Sequence, residues 1–135
     1  MIPSWCAKYV GIPFSEKGNT FAGCNCWGLF WLIYKNERNI DLPKYTYEYQ
    51  DTKDIEKIAA IIKREADKWE FFHENPQVFD AIVLRINAEP WHIGCVVDPE
   101  GGKMLHIERY ISANIESYSR LMWQKRKIGF YRYVG

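Results

Sequence analysis

Apolar residues Cys26, Leu29, Phe30 and Ile33 fall at i, i+3, i+4 and i+7, one stripe of a helix, and predict a helical segment from Cys26 to about Lys35. The stripe puts Cys26 on the buried face of the first turn. A second stripe, Ile55, Ile58, Ala59, Ile62, Ala66 and Trp69, has charged residues on its other side and Asp51 or Thr52 available as a cap, and predicts a second helix. A short helix is expected over Trp5 to Val10, ended by Gly11-Ile12-Pro13, because glycine stops helices and the residue before proline avoids the helical region. Ser15 to Gly23 reads as a polar loop, and residues 36–50, with Leu42-Pro43 and several tyrosines, as an extended connection.

From Phe79 onward the pattern becomes strand-like. Phe79 to Ile86, Trp91 to Val97, Lys103 to Arg109 and Lys127 to Val134 are rich in β-branched and aromatic residues and are separated by turn residues. Helices first and strands second, without βαβ alternation, predict an α+β domain with an antiparallel sheet. Asp98-Pro99-Glu100-Gly101-Gly102 should close the middle two strands into a hairpin. A loop at 98–100 sets His92 opposite His106, whereas a loop at 99–101 sets His92 opposite Glu108. Both registers leave His92, His106 and Glu108 on one face, since side chains alternate along a strand.

The chain has 135 residues, the size of a single domain, and no repeat or linker divides 1–135. Its 18 Lys+Arg against 17 Asp+Glu give a net charge of +1, so no global field draws nucleic acid or an anionic membrane. No run approaches the roughly 18 apolar residues of a membrane span. The start, Met1 to Lys8, lacks the basic and apolar regions of a secretory signal, so synthesis and folding in a cytosol are expected. Aromatic residues make up 16%, enough to line a groove as well as fill a core.

Candidate chemistry centres on Gly23-Cys24-Asn25-Cys26-Trp27-Gly28. A thiol at a helix start meets unpaired N–H groups and about half a positive charge, which lower a cysteine pKa from its usual ~8.5. His92 is the candidate general base for Cys26, with His106, or alternatively Glu108, orienting the imidazole. His73 lies in a polar stretch and gets no role. The same residues could be read as a zinc site, Cys24-x-Cys26 with His92-x-x-Cys95, but positions 92 and 95 point to opposite faces of one strand, which opposes a shared metal. Cys6, Cys24 and Cys95 are expected to be reduced, small packing residues.

Tyr9-Val10-Gly11-Ile12-Pro13-Phe14, Gly23 to Leu29, Phe79 to Leu84, His92-Ile93-Gly94 and Leu105-His106 together resemble the NlpC-type cysteine peptidases. The Cys26-Trp27-Gly28-Leu29 run, with Trp123, Arg126 and Gly129-Phe130-Tyr131-Arg132-Tyr133, is most similar to the branch found in phage tails and prophages. The resemblance covers nearly the whole chain. It implies a papain-like fold, N-terminal helices packed on a C-terminal antiparallel sheet. It also implies hydrolysis of peptidoglycan stem peptides, typically between γ-D-glutamyl and a diamino acid, by Cys26 with His92 as base and His106 as third member. No cofactor or metal is implied, because a thiolate and an imidazole suffice. The implied partners are the wall peptide and other phage tail proteins, and the implied place is a virion tail acting on the wall after synthesis in the bacterial cytoplasm.

The backbone N–H of Cys26 and the Tyr9 hydroxyl are the oxyanion donors the resemblance suggests, and Asn25, Trp27 and Glu108 are further substrate or oxyanion candidates. Asn25 stands where the family usually has Asp, and Phe14 where many relatives have Tyr, so this chain lacks a charge and a hydroxyl near its cleft. Two other functions suit the same residues: a structural tail-assembly protein with little activity, and an amidase or acyltransferase on a non-wall substrate.

Overall fold

The computed structural model describes residues 1–43, 66–86 and 89–135, with the backbone alone at Ala66, Ile86 and 89–91. The second predicted helix falls outside these residues as far as position 65. Its last predicted members do not continue it: Ala66–Lys68 is a 3-10 turn, and Trp69 opens a strand. The expected extended connection lies outside the described residues from position 44, and its first part, to Arg38, is helical.

The chain begins with a 3-10 helix, Ser4–Lys8, shorter and tighter than the helix expected over Trp5 to Val10. Gly11, at φ 96°, then turns the chain, a conformation that glycine adopts without a Cβ clash. A small hairpin follows, β1 (Asn19–Thr20) and β2 (Gly23–Cys24), and delivers the chain into α1 (Cys26–Arg38). α1 begins where expected and runs one turn longer. Asn25 caps its start by accepting the Gly28 N–H, and Asn39, left-handed at φ 54°, ends it. Lys35 and Arg38 sit in the last turn, where the helix dipole favours cations. Every residue from Cys26 to Tyr34 is buried, so α1 is enclosed on all sides over its first two turns and more.

Six strands form one antiparallel sheet: β3 (Trp69–Phe72), β4 (Ala81–Ile86), β5 (Glu89–Asp98), β6 (Lys103–Glu108), β7 (Ile111–Ser117) and β8 (Lys127–Tyr133), in the order β3-β8-β4-β5-β6-β7. The four predicted strands are present. The first starts two residues late because Phe79 is left-handed at φ 78° and Asp80 closes a turn onto Gln77. β3 and β7 flank the four. A single helical turn, α2 (Leu121–Gln124), leads from β7 to β8.

The sheet has two covered faces. Ala81, Ile93, Cys95, Val97, Leu105 and Ile107 pack with α1 in the larger core. Ile82, Leu84, Val96, Met104 and Phe130 pack on the other face beneath Trp123 of α2. Burying a large apolar side chain contributes about 1.5–3 kcal/mol, and α1 supplies eight of the twenty described buried residues of the larger core. Among the described residues no helix is long and apolar enough to cross a membrane.

Candidate active site

Cys26 is the first residue of α1, held by the cap before it. The Asn25 side chain accepts the Gly28 N–H at 2.6 Å, and its nitrogen donates to the Glu16 carbonyl at 2.8 Å. Asn25 is 1% exposed. Its amide is engaged inward at both ends, which makes it the structural pin of the thiol and not a group facing substrate. Trp27, a second substrate candidate, is also buried, with its indole N–H donating to the Pro43 carbonyl at 2.9 Å.

The sulfur of Cys26 is approached by the backbone amides of Ile93, Trp27 and Cys26 itself. Ile93 follows His92, so one peptide bond separates the group touching the sulfur from the Cα of the candidate base. Burial nonetheless pushes the Cys26 thiol up, and the amides offset it only in part. The expected lowering is therefore corrected: desolvation at 8% exposure outweighs the helix start, and the resting group is a neutral thiol.

The hairpin between β5 and β6 has the later of the two expected registers. Cys95 pairs with Leu105 and Val96 with Met104, after a bulge at Asp98. This register aligns Gly94, not His92, with His106. A Cβ on Gly94 would lie 3.3 Å from the His106 Cβ, so glycine there leaves space on the face where the imidazoles meet. His92 and His106 are diagonal neighbours, a separation that ring side chains can bridge. Their contact is direct, with Nε2 of His92 2.7 Å from Nδ1 of His106 and the rings at 70°.

From His106 the line of contacts continues to a carboxylate outside the expected set. Nε2 of His106 lies 2.8 Å from a Glu116 carboxylate oxygen, and the other oxygen accepts from Arg120 at 3.3 Å. Glu116 is on β7, opposite Met104 and diagonal to His106. A period-two signal was present in Ile111-Ser112-Ala113-Asn114-Ile115-Glu116-Ser117, where apolar and polar residues alternate. Trp123 stacks on His92 at 5.9 Å between centroids and meets His106 edge-on at 5.5 Å.

Burial holds His92 well below its usual pKa, reinforced by the neighbouring His106. Burial also lowers His106, opposed by Glu116. Both imidazoles are thus neutral at pH 7. Burial raises Glu108, Glu116 adds to the rise, and Arg126 opposes it. Potential ligand atoms of His92, His106 and Glu108 all lie within 4.8 Å of one another. However, a 2.7 Å separation between imidazole nitrogens is that of a shared proton, whereas two nitrogens on a tetrahedral zinc are about 3.3 Å apart. Cys95 packs on the α1 side of the sheet and His92 on the Trp123 side, as the odd spacing required.

Tyr9, an expected oxyanion donor, is placed elsewhere. It is fully buried and donates its hydroxyl to Glu37 at 2.5 Å. Glu37 is eleven residues along α1 from Cys26, about 16 Å of helix rise, which removes this hydroxyl from the thiol. All four cysteines are buried and free, and the Cys24 thiol donates to the Thr20 carbonyl. A cavity of about 410 Å³ opens between Phe14 and Glu16 on one side and Arg109, Tyr110, Ile111 and Ser112 on the other. Its walls adjoin the site, because Glu16 holds Asn25 and Arg109 follows Glu108. Arg109 bridges the walls through its ion pair with Glu16 and its position over the Phe14 ring.

Three comparisons with known proteins bear on this site. A model of the NlpC/P60 family matches residues 11–132. The fold is similar to a Staphylococcus aureus subsp. aureus Mu50 protein described as similar to lipoprotein, NLP/P60 family. The TM-score is 0.65 at 22% identity, over 96% of this chain and 39% of that one. The present chain therefore spans about two fifths of that protein. The fold is likewise similar to the NlpC/p60 domain of peptidoglycan hydrolase SagA, with a TM-score of 0.61 at 16% identity over 93% of this chain and 90% of that one. No curated protein matches the chain significantly.

Proposed function

The chain belongs to the NlpC/P60 family, and we propose that it is a cysteine peptidase that hydrolyses peptidoglycan stem peptides. The observation that carries this reading is the approach of the Cys26 sulfur to the backbone of β5 at the residue after His92. The first residue of α1 brings a thiol onto the Ile93 amide, and β5 brings a buried imidazole pair to the adjacent residue. The similar SagA domain comes from a peptidoglycan hydrolase, which supports a wall peptide as the substrate class.

In this mechanism His92 takes the thiol proton as the sulfur attacks the scissile carbonyl carbon. The carbonyl π electrons move to oxygen, and the N–H of Cys26, which has no partner within its own helix, donates to that oxyanion. Collapse breaks the C–N bond, and His92 protonates the leaving amine. Water, deprotonated by His92, then hydrolyses the thioester and restores the thiol. His106 steadies His92 throughout. Neither step calls for a redox cofactor.

The bond we propose is that between γ-D-glutamyl and the diamino acid, and the setting is a phage or prophage tail that meets the wall after synthesis in the bacterial cytoplasm. The Cys26-Trp27-Gly28-Leu29 run and the Gly129 to Tyr133 ending support that setting. Purified chain and a Cys26→Ala variant are to be incubated with defined muropeptides and the products weighed by mass spectrometry. Cys26-dependent release of a peptide beginning with the diamino acid is expected. No Cys26-dependent product from any stem peptide would overturn the reading.

A further inference from the structure

His92, His106 and Glu116 lie on a diagonal across β5, β6 and β7, each two residues out of register with the last. The contacts are at fixed nitrogens: Nε2 of His92 with Nδ1 of His106, and Nε2 of His106 with the carboxylate. A neutral imidazole carries one N–H, so where it sits depends on what each nitrogen faces. A carboxylate only accepts, and it draws the single proton of His106 to Nε2. Nδ1 of His106 is then a lone pair, and the only proton that can complete the 2.7 Å contact is one on Nε2 of His92. This leaves Nδ1 of His92 bare. The direction of the whole chain is set at its far end.

We propose that Glu116 is a positioning residue for His92, acting through His106 to hold both imidazoles in the Nε2–H form and so to keep Nδ1 of His92 as the proton acceptor. The inference rests on the peptidase reading in that Nδ1 serves Cys26. The tautomers themselves are independent of it. If this acceptor is lost, no hydrogen-bonded carboxylate holds the proton of His106 at Nε2. A proton on its Nδ1 would then demand the lone pair of Nε2 of His92, and His92 would carry its own proton on Nδ1, where it cannot serve as a base.

The surroundings are built to hold this carboxylate. Arg120 donates to its second oxygen, so Glu116 is oriented from both sides. Trp123 stacks over His92 and meets His106 edge-on, and both imidazoles are buried. The other charged groups here are Glu108 on β6, near both imidazoles, and Arg126 beyond α2, which faces Glu108 and lies over the Trp123 ring. Asn114, which pairs with His106 across the strands, turns its amide to the Ser112 carbonyl and does not compete.

The test is long-range ¹H–¹⁵N NMR of the histidine rings above pH 7 in the full chain and in Glu116→Leu, with kcat and KM on a stem peptide measured alongside. Wild type should show both His92 and His106 protonated at Nε2. Glu116→Leu should move a large part of His92 to the Nδ1–H form and lower kcat at least tenfold with KM within about twofold. A wild-type His92 protonated at Nδ1 would overturn the proposal, as would tautomers in Glu116→Leu that match wild type. If the variant fails to fold, the wild-type spectrum decides alone. The expected tautomers in a chain that cleaves no stem peptide would refute the peptidase reading and leave the relay standing, so the two failures are distinguishable.

Discussion

The side chain of Asn25 accepts the N–H of Gly28 while donating to the carbonyl of Glu16, so one carboxamide both caps α1 and fastens the preceding loop beneath Cys26. The residue that sets this chain apart from the family's usual aspartate is thereby explained. Aspartate could cap the helix, but its second oxygen would face the Glu16 carbonyl with no proton to offer. Asn25→Asp should therefore lower stability by about 1 kcal/mol, the worth of one hydrogen bond, and Asn25→Ala by about 1–2 kcal/mol through loss of the cap. Urea unfolding measures both, and an aspartate variant more stable than wild type would contradict the assignment.

Gly28 gives a sharper case, because intrinsic propensity and packing predict opposite signs. Alanine in a helix is favoured over glycine by about 1 kcal/mol. A Cβ here would stand 1.9 Å from the Gly18 carbonyl oxygen, which is backbone and cannot swing aside. Gly28→Ala should destabilise by about 1–3 kcal/mol, the range for overpacking, and should displace the Ser15 to Gly23 loop. Thermal unfolding checks it, and a rise in Tm would show that the close approach is not real.

Tyr9 separates the family expectation from the geometry. Its hydroxyl serves Glu37 and not the thiol. Tyr9→Phe should leave kcat within about twofold of wild type while costing about 1–3 kcal/mol of stability, since a buried hydrogen bond to a charged group is lost. A hundredfold loss of kcat, the size seen when an oxyanion donor is removed, would restore the hydroxyl to the site.

The buried imidazoles also make stability depend on pH with a definite sign. His92 and His106 have folded pKa values below the ordinary 6.5, so the unfolded chain binds more protons once the pH drops beneath that value. Stability should be constant between about pH 7 and 8, above which the raised buried thiols begin to lower it, and should fall by about 1.4 kcal/mol per pH unit for each histidine below 6.5, until the folded pKa is reached. Activity should keep its base in the same interval, with the acid limb of kcat/KM lying well under 6.5 and the alkaline limb above the usual thiol range, because Cys26 is raised. Urea midpoints across pH 4.5–8 test the first statement, and a His92→Ala variant should flatten the slope.

Much of the fold was legible because its strongest signals are local. The Cys26 stripe, the Asp98 to Gly102 turn and the four β-branched runs are decided within a few residues. What escaped depends on partners far away in sequence. Trp69 continues a helical spacing, yet pairing with Tyr133 draws it into a strand. β7 carries a weak alternation and gains its edge position from β6. Parity along the strands put His92, His106 and Glu108 on one face, but parity cannot separate directly opposed from diagonal neighbours, and the bulge at Asp98 decided that. Glu116 was hidden for the same reason. The fall expected for the Cys26 pKa assumed exposure, and burial is a tertiary property.

Attack by the Cys26 sulfur is tested most directly by trapping its product. Full-length chain mixed with a stem peptide, quenched in acid during turnover and weighed intact, should carry an acyl group on Cys26, removable by hydroxylamine as a thioester is. Cys26→Ala should show neither adduct nor turnover. Turnover that persists in Cys26→Ala, or an acyl group mapped to any other residue, would contradict the account.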